Sequence, residues 1–106
     1  MRIFYKKTAI DDLRETEQYI YQKLHNKNAA LALTRRIVKA ISQLSEQPYM
    51  GAPLSSKLDL EVDLRFLVVS KWLIFYRVNE DRIEVTRVLD GRQDYMTHLF
   101  DVEDQD

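Results

Sequence analysis

Three arginines, Arg65, Arg77 and Arg87, stand inside runs of strand-forming residues: Leu64-Arg65-Phe66-Leu67-Val68-Val69, Trp72-Leu73-Ile74-Phe75-Tyr76-Arg77-Val78 and Ile83-Glu84-Val85-Thr86-Arg87-Val88-Leu89. An isolated charge in such a run is costly unless it emerges at a rim or meets a partner, so each marks a joint of the fold or a working group. A guanidinium suits one chemistry in particular, because its planar fork holds two oxygens of a phosphate or carboxylate at once. Other chemistry is thinly supplied. The two histidines, His25 and His98, are far apart and form no His-x-x-x-His pair, so no metal site is expected. His25 falls at a helix end and reads as a solvated C-terminal histidine, while His98 falls in a short terminal helix. With no cysteine there is no thiolate nucleophile or ligand, and no Gly-rich phosphate loop is present, so no cofactor is expected. Trp72 and Tyr76 read as core aromatics rather than ligand platforms.

The elements that must position these groups follow from period and punctuation. Three of the four Gly and Pro residues lie in Pro48-Tyr49-Met50-Gly51-Ala52-Pro53, the main break in the chain, with helices before it and strands after it. Residues 2–6 favour a strand, and Thr8 with Asp11 resembles a helix N-cap with an acid in the first turn. Along that helix Ala9, Leu13, Thr16, Ile20 and Leu24 form the inner stripe, with Asp12, Glu15, Gln18 and Lys23 on the wet side. Asn26 to Asn28 supplies a polar break and a second cap. Ala30, Leu33, Ile37, Ile41 and Leu44 then repeat the pattern until Pro48 forbids continuation. Beyond the loop the period becomes alternating, with Leu64, Phe66 and Val68 on one side and Arg65, Leu67 and Val69 on the other. Ser70-Lys71 turns the chain into a central strand at 72–78 that is apolar on both faces, and Asn79-Glu80-Asp81 turns it back through 83–89. The simplest burial of both helical stripes is an α+β fold of β-α-α-β-β-β order, a helical hairpin on one face of an antiparallel sheet. Leu13, Ile20, Ile37, Leu44, Phe66, Ile74, Phe75 and Val85 are expected to share one core.

At 106 residues with 45% hydrophobic content, the chain fits a single domain at 1–100 followed by an acidic tail at 101–106. The absence of cysteine rules out a disulfide scaffold and fits a reducing compartment. No apolar run approaches the roughly 20 residues that span a bilayer, and MRIFYKK lacks a signal-peptide core, so a cytoplasmic protein without membrane contact is expected. The formal charge of −1 hides an asymmetry: four of the 17 acids sit in the last six residues, which leaves 16 bases against 13 acids, a net +3, in the body. A modest basic surface is therefore compatible with the overall charge.

Several of these segments resemble, in order and spacing over roughly residues 3–98, the RelE/ParE superfamily of type II toxin-antitoxin toxins, with the closer likeness to ParE. Ala9-Ile10-Asp11-Asp12-Leu13 looks like its opening A-x-x-D-L, and Leu44 through Gly51 like its L-x-x-x-P-x-x-G turn. Leu64-Arg65 is similar to the L-R that begins the sheet, the Trp72–Val78 strand to its y-x-i-x-Y-r, and Arg87 through Asp94 to its V-x-H-g-R-r-D ending. The resemblance implies the α+β toxin fold. It also implies a cognate antitoxin whose C-terminal segment wraps the toxin while its N-terminal domain binds operator DNA, so that operator DNA is reached only through the antitoxin. Burial of apolar side chains offsets the ordering of such a segment, and the outer side of the two helices and the arginine-bearing sheet edge are the candidate surfaces.

The superfamily carries two activities. RelE-like members cut mRNA on the ribosome. ParE-like members inhibit DNA gyrase without catalysis. Attack by a 2′-hydroxyl needs a base, an acid for the leaving oxygen and cations for the growing phosphorane charge. The resemblance maps Arg65 and Arg92 onto ribonuclease arginines and Tyr95 near a ribonuclease tyrosine, which makes these three the catalytic candidates of the ribonuclease reading. The remainder of that set is sparse: Lys57 alone stands where RelE has a lysine cluster, and Asp90 replaces the histidine that often precedes the glycine. The long hairpin, the Pro48–Pro53 loop and Gly91-Arg92-Gln93-Asp94 look more like ParE. A ParE-like gyrase inhibitor is therefore the leading expectation, a ribosome-dependent mRNA endoribonuclease the alternative, and a non-toxic antitoxin-binding module the third.

Overall fold

Strand β1 (Arg2–Tyr5) leads straight into helix α1 (Lys7–Leu24), and α2 (Lys27–Ser42) follows after Asn26. The computed structural model describes residues 1–57, 61–92 and 94–100, so the acidic tail lies outside the described residues. Asn26 caps α2 as its sequence position requires, accepting from Ala29 N at 3.1 Å, a bond worth about 1 kcal/mol. His25 ends α1 in the left-handed region at φ 51, with its N–H on Tyr21 O. The second helix closes through a 3₁₀ turn, Gln43–Ser45, so Leu44 belongs to that turn. A two-residue strand β2 (Ala52–Pro53) and a 3₁₀ turn Leu54–Ser56 lead towards β3 (Arg65–Val69), β4 (Trp72–Val78), β5 (Arg82–Asp90) and the short helix α3 (Tyr95–Phe100).

The α+β order expected from the sequence is present, and the sheet is mixed. Its strands run β1-β5-β4-β3-β2; β2 to β5 are antiparallel neighbours, whereas β1 lies parallel to β5 with Ile3 opposite Ile83 and Tyr5 opposite Val85. The long return through the helical hairpin lets the first strand enter in this sense, which a tight turn could not. β4 is buried from Trp72 to Tyr76, as its continuous apolar run demands. A bulge between Phe75 and Tyr76 shifts their β5 partners from Arg87 to Val85, and the extra residue, Thr86, donates its hydroxyl to Phe75 O at 3.1 Å.

Both sheet faces are covered. Ala9, Ile20, Ala30, Ile37 and Ile41 from the helices pack on Val69, Trp72, Ile74, Val85 and Val88. On the opposite face Leu54, Leu64, Leu73, Phe75 and Leu89 form a second cluster, with Phe66, Tyr95, Leu99 and Phe100 against it. Leu44, Tyr76 and Ile83 make a third. The single core expected from eight apolar residues is thus divided: Phe66 and Phe75 lie across the sheet from Ile20 and Ile37. Two further expectations need correction. Leu24, assigned to the inner stripe, ends α1 and is 55% exposed, and Thr8 is not the helix cap. The cap position is Lys6, without a side-chain bond, and the Thr8 hydroxyl instead donates to Thr86 O at 2.8 Å.

Candidate functional site

One joint of the fold lies around Pro48–Gly51. The Tyr76 hydroxyl, on a fully buried side chain, donates to Pro48 O and accepts from Gly51 N, both at 2.9 Å. Arg65 is the strand neighbour of Tyr76 and donates Nη2 to Tyr49 O at 3.1 Å and Gly51 O at 2.5 Å, with its guanidinium 5.1 Å from the Tyr49 ring centre. Gly51 is required here by close approach: a Cβ would fall 2.6 Å from both Phe66 O and the Tyr76 hydroxyl. Arg65 therefore finds its partners among backbone carbonyls, and the loop is tied to the sheet by two side chains from neighbouring strands.

A second joint lies where β1 ends. Lys6 N donates to Val85 O at 2.9 Å, Thr8 to Thr86 O, and Asp12 Oδ2 accepts from Val88 N at 2.9 Å, so the start of α1 continues the hydrogen bonding of β1 along β5. Asp12 also receives Arg87 Nε at 2.7 Å and Nη2 at 2.9 Å, a bidentate pair, while Arg87 Nη1 donates to His98 O at 3.1 Å. One guanidinium thus ties α1, β5 and α3 together. Asp12 is 6% exposed, against its assignment to the wet side. The signal was present in the sequence: Asp12 follows Ala9 by three residues and precedes Thr16 by four, which places it on the edge of the inner stripe. Arg77, the third strand arginine, emerges at the rim and pairs with exposed Asp63 at 2.8 Å.

Arg92 leaves the far end of β5, and its guanidinium grips Asp90 through Nε at 3.2 Å and Nη2 at 2.9 Å. Hydrogen bonding from Arg92 holds the Asp90 carboxyl below its usual range against the opposing effect of burial, and the same contact raises the Arg92 guanidinium. Around Arg92 gather groups the sequence did not single out. Lys23 Nζ donates to the Tyr19 hydroxyl at 3.4 Å, and Lys71 Nζ sits 5.7 Å from the ring centres of both Tyr19 and Trp72. The Tyr19 phenol is lowered, first by the Lys23 hydrogen bond and charge, then by Lys71 and Arg92. The four-residue step from Tyr19 to Lys23 was legible as one helix face, but the arrival of Lys71 from the β3–β4 turn was not.

The catalytic candidates Arg65, Arg92 and Tyr95 are not brought together. Arg65 opens β3 beside Tyr76, on the face where Tyr76 meets Leu44. Tyr95 packs on the other face, its ring 5.6 Å from that of Phe75, and Lys57 Nζ lies over it at 5.4 Å. Arg92 sits at the turn end of the sheet, where Gly91 N bonds Lys71 O, whereas Arg65 opens β3 at the other end of that strand, two strands away from β5. Lys57 and Tyr95, both named in the ribonuclease reading, do meet. Among the described residues no cluster of three or more His, Cys, Asp or Glu is placed to hold a metal ion.

The family model for the ParE toxin of type II toxin-antitoxin systems, parDE, matches residues 3–95, a span that contains both joints and the Arg92 turn. The chain belongs to this ParE toxin family. A curated ParE relative, Toxin ParE3 of Caulobacter vibrioides, is 34% identical over 70 residues, covering 66% of this chain and 67% of that protein. A solved structure described as a chromosomal ParDE toxin-antitoxin system from P. aeruginosa aligns with TM-score 0.69 at 22% identity, over 83% of this chain and 92% of that one. The ParE fold explains why the motifs are where they are: Pro48, Gly51, Arg65 and Tyr76 build one joint of the toxin and Ala9, Asp12 and Arg87 the other. No helix among the described residues is long and apolar enough to cross a membrane.

Proposed function

We propose that this ParE toxin arrests growth by inhibiting DNA gyrase and is held inactive by a cognate antitoxin. The observation that carries the reading is the commitment of the arginines. A ribonuclease of this superfamily must direct Arg65 and Arg92 onto one scissile phosphate, where their charge counts most in the transition state. Arg65 instead serves the carbonyls of Tyr49 and Gly51, and Arg92 serves Asp90 at the opposite end of the sheet. Inhibition of a macromolecular machine needs only a rigid scaffold with a shaped surface, which the two joints supply.

The antitoxin reading draws on the ParDE description of the structural relative and on the outer side of the helical hairpin. Tyr21 and Leu24 are 48% and 55% exposed, and Tyr21, Gln18, Ala30 and Leu31 line a groove of about 480 Å³ between α1 and α2. An amphipathic antitoxin segment would bury these side chains. The decisive experiment pairs a gyrase supercoiling and cleavage assay with primer extension on ribosome-bound mRNA, using the wild-type protein and Arg65→Lys. Blocked supercoiling with intact mRNA is the expected result. Cleaved mRNA that Arg65→Lys abolishes at unchanged thermal stability, with gyrase unaffected, overturns the proposal in favour of the ribonuclease.

A further inference from the structure

At the turn end of the sheet, three cations from three separate elements converge on one aromatic pair. Lys23 comes from α1, Lys71 from the β3–β4 turn and Arg92 from the end of β5; Tyr19 and Trp72 supply the rings between them. Arg92 is neutralised by Asp90, whose side chain is only 14% exposed, but it keeps 63% of its own side chain open to solvent. Among the described residues neither Lys23 nor Lys71 enters an ion pair with an acid. Among the described residues the rim therefore carries two lysine charges outside any ion pair, beside a third cation already oriented by Asp90, whose carboxylate Lys71 also faces. Tyr19, Trp72 and Asp90 also line a cleft of about 230 Å³ between α1 and β5. Glu15 lines that cleft too, one helical turn or about 6 Å before Tyr19, whereas Lys23 lies one turn after it, so Glu15 and Lys23 fall on opposite sides of the phenol.

Ammonium groups set over ring faces lose less freedom on binding than free lysines, and a guanidinium fixed by a bidentate carboxylate still offers outward N–H donors. Such an array is suited to consecutive phosphodiesters of a nucleic-acid strand. We propose that the Lys23–Lys71–Arg92 rim around Tyr19 and Trp72 is a DNA-backbone contact surface, engaged when the toxin meets its target on DNA. The inference rests on the gyrase reading, in which the target is an enzyme with DNA bound. Contact to the phosphates is sequence-independent and explains how a chain of formal charge −1 can still engage DNA: the local charge at the rim, not the total, sets the attraction.

The test is fluorescence anisotropy of the full chain with a dye-labelled DNA duplex, without gyrase, over a series of salt concentrations. Each lysine that neutralises a phosphate contributes about 0.9 to the slope of log affinity against log salt, so Lys71→Gln should reduce that slope by about one. Lys23→Glu combined with Lys71→Glu should weaken binding at low salt by about tenfold or more. Arg35→Glu, on the exposed side of α2, should leave it unchanged. Thermal melting reports whether each variant is folded, and if the double reversal is not, Lys71→Gln alone carries the test. Absent binding by the wild type, an unchanged slope in Lys71→Gln, or an equal loss in Arg35→Glu overturns the inference. So does displacement of the duplex by inorganic phosphate or by single-stranded RNA at lower concentration than by unlabelled duplex. A gyrase assay run in parallel separates the two proposals: loss of duplex binding with gyrase inhibition unchanged removes the DNA surface and leaves the target, while rim-dependent duplex binding without gyrase inhibition does the reverse.

Discussion

Removing one oxygen atom should unlock the Pro48–Gly51 loop. In Tyr76→Phe the ring stays in its fully buried place while the hydroxyl that donates to Pro48 O and accepts from Gly51 N disappears. Each bond contributes about 0.5–1.5 kcal/mol net, and a buried N–H left without an acceptor costs about 1–3 kcal/mol, so the expected loss is about 2–3 kcal/mol. For a domain of this size that corresponds to a fall in Tm of about 10–20 °C. Urea denaturation followed by circular dichroism gives the free energy, and hydrogen exchange at the Gly51 amide locates it. Gly51→Ala supplies the other arm of a double-mutant cycle. Its Cβ would lie 2.6 Å from Phe66 O and from the Tyr76 hydroxyl, so deleting the hydroxyl relieves one clash and leaves the backbone one. The double variant should be less destabilised than the sum of the singles, by about 0.5 kcal/mol or more. A Tyr76→Phe loss below about 0.5 kcal/mol, the size usual at exposed sites, or strict additivity with Gly51→Ala, refutes the reasoning.

Three further outcomes are expected. Asp12→Ala removes the carboxylate partner of Arg87 and leaves the Val88 N–H without its acceptor, and should cost about 3–5 kcal/mol in a chemical denaturation curve, whereas Asp11→Ala, which breaks only the exposed pair with Lys7, should cost less than about 1 kcal/mol; equal effects would dismiss the joint. Ile37→Ala empties a fully buried position between the helices and the sheet and should cost about 2–5 kcal/mol, with a loss near zero showing that α2 is rotated from the face described. Asp90 has a lowered pKa in the folded state, so the stability it contributes is present above its unfolded value near pH 4 and is lost as pH falls through the folded value. Melting curves should therefore show a wild-type advantage over Asp90→Asn at neutral pH that disappears on acidification below about pH 4, and an advantage that grows on acidification would contradict the Arg92 contact.

The elements were legible because their signals are local. Period alone separates the helical hairpin from the strands, Asn26 announces its cap, and the run Trp72–Tyr76 has no wet face to offer. What escaped depended on partners distant in sequence. Nothing local shows that β1 pairs in parallel with β5, since the choice is made by the hairpin returning over the sheet. Asp12 looked solvated because it is charged; its burial depends on Arg87 and Val88, both contributed by the strand it covers. The arginines were rightly singled out as anomalous in strands, yet chemistry alone did not say whether a carbonyl, a carboxylate or a ligand would satisfy each. The second apolar face was missed for a related reason: α3 is too short for a periodic pattern, so the side chains that cover Phe75 carry little signal in the sequence.

The residues that identify the family are those committed to holding the fold. Pro48, Gly51, Arg65 and Tyr76 bond to one another, and Asp12 is consumed by Arg87 and Val88, so their chemistry is directed inward. A motif built in this way specifies a scaffold and is silent about a target, because any surface can be mounted on the same joints. The groups that remain free to meet a partner, Tyr19, Lys23 and Lys71, lie outside every motif and are assembled only when α1, the β3–β4 turn and the end of β5 are brought to the same end of the sheet. Substitution at these positions can alter what the toxin engages without loosening either joint, so target choice and fold stability should vary independently. Charge reversal at Lys23 and Lys71 should accordingly leave the melting temperature near that of the wild type, while Tyr76→Phe lowers it and leaves the rim charges in place.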